Sequence, residues 1–566
     1  MSRLSNAITG FGLLLAIIIV VNVISELINI QVDLNEYKRF SISDNTKDIV
    51  NSIDDNISIR ILLDGEFPAG FKRLQSSVND MLIKLRDINH RINFEFEDPS
   101  SGSLSEIEQK RKILQDENII PVSLSYSDGT QLVQKAVYPF AIFNYGARKF
   151  IVNLLEEQKP GDDEELILNN SVSLLEYKFS DALLKLMTPR PKNILFTHGN
   201  GELDDSQTYR LESELRKFNK VGGVVLDSIM HLDSTIDLVI VAGLRKSMSI
   251  QNQFKLDQYI MQGGKIIWMI DKFHVSLDSI NKYKFYIPTE SDTGIDDLLF
   301  KYGIRIMPDL IIDLECSSIP QVVGMAGDKP QTKLFPWVYH IVAAPNSDHP
   351  ITKHIDRINF FFPSTIDTIK SDGQIKKTIL VSSSKYSRSQ LSPMRLSFEI
   401  LKVAPDPSKF NDGLRPVAVL LEGEFESYFK NRVTPEFKQL LQNMHSDFKE
   451  RSSAQAKQLI ISDSDFAKNL VNTATGNTED IGYNKWERKY YKGNKDFILN
   501  TVEYMLDENN VLETRSKDIK LRLLDNVRIK QEKLKWQLIN VVLPVVLLII
   551  FGLIYHYFRK RKYTFR

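Results

Sequence analysis

The chain has 566 residues, 42% hydrophobic and 25% charged, the balance of a globular protein with room for about three or four domains. Lys+Arg and Asp+Glu both number 72, so the formal net charge is zero and the basic excess of a nucleic-acid binder is missing. A single cysteine, Cys316, excludes an internal disulfide, a CxxC redox pair, a Cys-based zinc site and a cysteine-held iron–sulfur cluster.

Taken in chain order, the first element is an uncharged run from Ile8 to Ile24. With its flanks (8–30) it reaches the ~20 residues that cross a bilayer. The chain continues Ser25-Glu26-Leu27 with no A-x-A-like site, which argues for an anchor over a cleaved signal peptide. An exterior module over 33–188 follows. Ser43-x-x-Thr46 starts a helix, Ile57–Leu63 reads as a strand ended by Asp64-Gly65, and Phe71–Ile88 keeps a helical apolar period. Ile92–Phe96 alternates as a strand, Ser103–Asn118 is helical, and Pro121–Tyr126 is a strand. Val137–Phe143 and Arg148–Leu154 form a hairpin around Tyr145-Gly146, and Leu166–Met187 is one helix after the acidic turn Pro160–Glu165. The order β-α-β-α-β-β suggests a thioredoxin-like layer. With no Cys in the module, the redox chemistry of that fold is absent.

Thr188-Pro-Arg-Pro191 marks a boundary, and a second domain runs over 189–512. Its strands are Lys192–Thr197, Val224–Leu226, Asp237–Ala242, Lys265–Ile270, Val417–Leu421 and Gln458–Ile461, with helices at Tyr209–Phe218 and Gln251–Met261. The strands are apolar on both faces, which predicts a parallel sheet covered on both sides. After a membrane-proximal helix (513–536), an uncharged run over 537–558 forms a second span, with Trp536 at one edge and Tyr555 and Tyr557 at the other. Pro544 is tolerable within it. The basic tail 559–566 is cytoplasmic by the positive-inside rule; Asp525 and Glu532 dilute the cations before the span. Two spans then leave both termini in the cytoplasm and the large domain in the periplasm, held at the inner (cytoplasmic) membrane. Asn22 and Asn540 lie in the apolar runs and either face a partner helix or sit near the headgroups.

The sequence has no G-x-x-x-x-G-K-[ST], G-x-S-x-G or H-E-x-x-H. His349 and His354 flank Pro350 and suit a turn better than a metal pair, so no metal ligands, cofactor or catalytic residues are assigned. The sharpest local candidate is the turn His198-Gly199-Asn200-Gly201-Glu202, which follows the first strand of the second domain, where α/β sheets place ligands. It either binds a polar ligand or partner through Glu202 and backbone N–H groups, or only turns the strand into the next helix. Asp271, after Ile270, has the same two readings. Cys316 lacks a nearby His and a glycine elbow, against a nucleophile.

Four groups of strings, in order between two spans, carry a resemblance. They are Val32–Ser43 with Thr46; Leu63–Leu74 with Glu97-Asp-Pro-Ser100; Asp257–Lys265 with Asp271; and Leu420–Glu424 with Gly493–Asn500 and Leu521–Asp525. Together they resemble the gliding-motility-associated ABC transporter auxiliary ("substrate-binding") proteins of the GldG type. The resemblance implies an anchored subunit working with a separate ATPase and permease. It also implies that the second domain has a glutamine-amidotransferase-like (flavodoxin-like) fold. The Cys–His pair usual in that fold has no counterpart here, so the reading is non-enzymatic. The rivals are an exterior α/β hydrolase using Glu202 or Asp271, and a ligand sensor for sugars or peptides. A clustered Ser/His/Asp set would favour the hydrolase, a pocket edged by aromatics the sensor, and a shallow apolar-centred face the scaffold.

Overall fold

The computed structural model describes residues 42–507 apart from short internal stretches (the longest 157–163 and 440–447), a few positions within 12–20, Leu512, and 526–564. Residues 1–517 form one compact unit and 518–566 a second.

In the N-terminal module, Ser43 caps α1 (Asp44–Asn51) by accepting from the Thr46 N–H, as the Ser-x-x-Thr spacing predicts. β1 (Ile57–Ile61) leads into α2 (Ala69–Ile88), whose buried Phe71, Leu74, Val78, Leu82 and Leu85 make one apolar stripe. β2 (Ile92–Phe96) pairs parallel with β1. A capping box at Ser103 and Glu106 starts α3 (Leu104–Asp116). β3 (Phe140–Tyr145) and β4 (Arg148–Asn153) then form the predicted hairpin, with β3 antiparallel to β1. The sheet order is β2-β1-β3-β4. Two readings need correction. The strand predicted at 121–126 leaves this sheet and pairs as Val122–Ser127 with Leu132–Val137 in a hairpin of its own. The helix predicted over 166–187 is two, α4 (Glu164–Ser173) and α5 (Leu175–Met187). Around the break, Ser171 Oγ donates to the Ile167 carbonyl and Ser173 Oγ to that of Asn170, so hydroxyls compete with the backbone.

The large domain opens with β5 (Asn193–His198), α6 (Asp205–Leu215), β6 (Lys220–Val225), β7 (Leu238–Ala242), α7 (Ile250–Met261) and β8 (Lys265–Met269). After an irregular middle come β9 (Cys316–Ala326), β10 (Lys329–Pro345), β11 (Ile375–Ser382), β12 (Pro416–Gly423), β13 (Lys457–Ile461) and α8 (Lys492–Leu506). The sheet runs β9-β10-β11-β12-β13-β8-β7-β5-β6. β6, β5, β7, β8 and β13 are mutually parallel. From β13 to β9 every pairing is antiparallel. The predicted parallel sheet is therefore half of a mixed one. β7 is buried at all five positions and Val417–Leu421 of β12 is buried throughout. Such apolar runs report cover on both faces and carry no information on strand direction.

The core of the N-terminal module is drawn from residues 42–186, while three clusters from 194–505 fill the large domain. In the second unit, α9 (Asn526–Thr564) includes Lys535–Arg561, among the described residues the one helix long and apolar enough to cross a membrane. Asn540 is exposed on it. Most of the first predicted span, Asn22 included, lies outside the described residues, as does the acidic turn before Glu164.

Candidate functional site

Counted in chain order, the five parallel strands lie 2-1-3-4-5 across the sheet, so direction of travel reverses beside β5. In open α/β sheets, ligands collect at the carboxyl ends of the strands. A cleft of about 380 Å³ opens at the ends of β8 and β13 and is lined by Asp271, Asp465, His340, Phe273, Phe361 and Trp486, among others.

Its floor is acidic. Asp271 Oδ1 accepts from the Ser464 N–H at 2.7 Å and Oδ2 from Ser464 Oγ at 2.5 Å. Asp463 Oδ2 accepts from the Phe361 N–H at 2.6 Å and Oδ1 from the Asp465 N–H at 2.8 Å. Burial, then the neighbouring charge of Asp465, pushes Asp271 up to about 6 against the opposing Ser464 hydrogen bonds. Burial and the Asp271 and Asp465 charges hold Asp463 well above the usual carboxylate range. Asp465 Oδ1 is buried without a hydrogen bond, its nearest cation being Lys468 Nζ at 3.5 Å.

His340, 1% exposed, stands edge-on to the rings of Phe361 and Phe362. Burial pushes it down to about 3, so it stays neutral. Its Nδ1 is buried without a hydrogen-bond partner. The mouth carries Arg245, Lys468, Lys485 and His274; burial, then the charge of Arg245, lowers His274.

Of the sequence candidates, only Asp271 lines this cleft. The glycine turn follows β5, two strand positions from β8, and is tied into the scaffold. Gly201 sits at φ +82°, and a Cβ there would come within 3.1 Å of Arg245 Cβ. Asn200 accepts from the backbone N–H groups of Arg245 (3.1 Å) and Lys246 (2.8 Å), so the turn positions the segment that carries Arg245 to the mouth. Glu202 Oε2 folds back onto the Asn200 N–H at 2.6 Å. His198 lies 3.6 Å from Asp205, beyond Gly199 at φ +113°. Sequence reasoning missed Asp463, Ser464 and Asp465, although Ser462-Asp-Ser-Asp465 directly after an apolar strand was a visible signal. It also missed His340, Arg245 and Trp486, which only the fold brings near. His349 Nδ1 accepts from the Ile351 N–H at 3.2 Å and its ring packs on Tyr504. His354 lies outside the described residues. Among the described residues no group of His, Cys, Asp and Glu is arranged to hold a metal.

Fold and site thus define a mixed α/β protein with a ligand-sized cleft at the ends of its parallel strands, followed by a helix able to cross a membrane. Residues 191–501, more than half of the chain, match the family described as ABC-type uncharacterized transport system, and the chain belongs to that family. It is an auxiliary component of an ABC-type transport system, of a kind typically without catalysis. Residues 36–144 match a domain of unknown function (DUF7088). No curated protein matches the chain. The solved "mmIFT52 N-terminal domain" is similar over 56% of this chain and 97% of its own length, at 13% identity and a TM-score of 0.30.

Proposed function

We propose that this chain is the non-enzymatic, membrane-anchored auxiliary subunit of an ABC transporter complex of the gliding-motility type, working with a separate ATPase and permease. Two spans hold it in the inner membrane, with its large domain in the periplasm and both termini in the cytoplasm. The observation that carries the reading is the family match over 191–501 in a chain that also has an apolar helix at Lys535–Arg561 followed by basic residues. The β2-β1-β3-β4 order, with β3 antiparallel to β1, supports a thioredoxin-like N-terminal module. The 2-1-3-4-5 order of the parallel strands supports a flavodoxin-like, amidotransferase-like second domain.

The hydrolase reading meets two obstacles. Ser464 is fully buried and its hydroxyl donates to Asp271, with no histidine hydrogen-bonded to it. Burial, then the Asp313 and Glu487 carboxylates, pushes the Cys316 thiol up to about 12, away from nucleophilic duty. The test is purification of the full chain from its native membrane in mild detergent, with every partner identified. An ABC permease and ATPase in stoichiometric yield is the expected result. Their consistent absence, with the chain intact in the membrane, refutes the reading. Replacing Asn22 and Asn540 with Leu should keep insertion and lower permease recovery; unchanged recovery leaves the spans as plain anchors.

A second reading, a ligand sensor, is favoured by one observation: the cleft is edged by Phe273, Phe361, Phe362 and Trp486. Sensor and subunit are compatible roles for one chain.

A further inference from the structure

We infer that the cleft beyond β8 and β13 is a site for a free α-amino acid, its ammonium group seated among Asp271, Asp465 and His340 and its carboxylate at the cationic mouth. The inference rests on the sensor reading and names its ligand class. Three independent features meet there. First, negative charge is undercompensated at the floor: the charge of Asp465 helps to raise the proton affinity of both Asp271 and Asp463, its own Oδ1 is buried without a hydrogen bond, and the nearest cation stands 3.5 Å from it. An entering ammonium relieves that repulsion and supplies three donors.

Second, His340 is 1% exposed and lines the cleft with an unpartnered Nδ1. A neutral imidazole nitrogen without a partner can accept an N–H from the ammonium, and a buried polar atom left unmade is costly. Third, Phe273, Phe361 and Trp486 supply rings whose faces attract a cation and whose area suits an apolar side chain.

A metal ion is a poorer occupant, because the described side chains present no ligand set for one. A purely cationic ligand would have to pass Arg245, Lys468 and Lys485, whereas a zwitterion uses them for its carboxylate. A neutral sugar leaves both charged zones uncompensated. A volume of about 380 Å³ accommodates an amino acid.

The test uses the full chain in detergent, with thermal unfolding and calorimetric titration as readouts. The probes are the twenty common L-amino acids, the dipeptide Gly-Phe, 2-phenylethylamine, 3-phenylpropanoate, glucose and maltose. At least one amino acid should bind and raise the unfolding temperature with dose. Loss of either the amino or the carboxyl group from that ligand should weaken binding at least about tenfold. Asp465→Asn should weaken the amino acid at least about tenfold. Arg245→Met, at an exposed position, should erase the preference for the amino acid over its decarboxylated analogue. Binding of a sugar, or of an analogue lacking one charged group as tightly as the amino acid, overturns the inference and leaves the sensor reading standing. Silence across all probes, with a cooperatively folded protein, overturns both and leaves the transporter-subunit reading untouched. Unchanged affinity and selectivity in both variants also overturns the inference.

Discussion

The N-terminal module meets the large domain through one lysine held between two carboxylates, and that arrangement fixes how stability should respond to Glu503→Gln. Lys185 Nζ lies 2.7 Å from Asp181 Oδ2 and 2.8 Å from Glu503 Oε1, and Tyr177 Oη donates to Glu503 Oε2 at 2.5 Å. Phe150 and Phe218 pack at 5.2 Å beside it, and Lys185 lies over both rings. One ammonium cannot fully serve two buried carboxylates. Burial, then the charge of Glu503, pushes Asp181 up to about 7. In Glu503 burial opposes ionisation, but Lys185 and the Tyr177 hydrogen bond outweigh it and bring it down to about 2.

The two groups act on stability with opposite signs. Asp181 titrates higher folded than its ordinary 3.8, so its contribution is present at low pH and is lost as pH rises towards about 7. Glu503 titrates lower folded than its ordinary 4.5, so its contribution is present above that value and is lost as pH falls towards about 2. The Asp181 displacement corresponds to about 4 kcal/mol between its two protonation states, reduced towards about 2 kcal/mol by the solvent that reaches part of these side chains. In Glu503→Gln, Asp181 becomes the counter-ion of Lys185 and regains an ordinary carboxylate affinity. Near pH 6 the variant should be less stable by about 2 kcal/mol, below the ~3–5 kcal/mol of a fully orphaned buried charge, because Asp181 takes over. Between about pH 5 and 7 the gap should narrow, and above 7 it should level off, since only the wild type pays for ionising Asp181. Urea unfolding of the full chain, followed by the fluorescence of Trp268, Trp337 and Trp486, reads this difference directly. A gap that stays constant from pH 5 to 8, or a loss below about 0.5 kcal/mol, refutes the reasoning.

Further outcomes follow from single positions. Thr46→Val removes a fully buried hydroxyl that donates to Glu176 Oε1 at 3.0 Å and should cost about 1–3 kcal/mol in urea unfolding. Gly423→Ala places a Cβ 2.2 Å from the Gln374 carbonyl oxygen at φ +132°, so it should lower the free energy of unfolding, read in urea, by at least about 2 kcal/mol or abolish soluble folding of the large domain. Cys316 should resist iodoacetamide at pH 8 in the native protein and react readily in urea, because its thiol is held up to about 12 only while folded; mass spectrometry of the two reactions checks it.

Local order was legible where local chemistry decides it. Ser43 and Ser103 announce their helices through capping, the stripe from Phe71 to Leu85 fixes α2, and Tyr145-Gly146 marks a hairpin whose Gly146 takes φ +56°. Pairing partners were not legible. Val122–Ser127 alternates no differently from β1, yet it joins Leu132–Val137 because that strand is close in sequence and completes a hairpin. Direction was hidden likewise in β12 and β13, both apolar, which pair antiparallel at the seam where the parallel half of the sheet meets the antiparallel half.

The site shows the same limit more sharply. Asp271 could be singled out because a carboxylate directly after a buried strand sits at a sheet end whatever the remaining topology. His340 could not, because its near neighbours in β10, Trp337, Val338, Ile341 and Val342, are apolar, and there a histidine reads as a satisfied core residue. Its partners Phe361, Asp465 and Trp486 come from three later segments that meet only once β13 inserts beside β8. That insertion also places Asp463 and Asp465 against Asp271, and it is this juxtaposition of like charges, more than any motif, that distinguishes the cleft from a plain turn. Residues whose role depends on one long-range strand pairing are invisible to spacing, whereas residues that end a strand are visible from one.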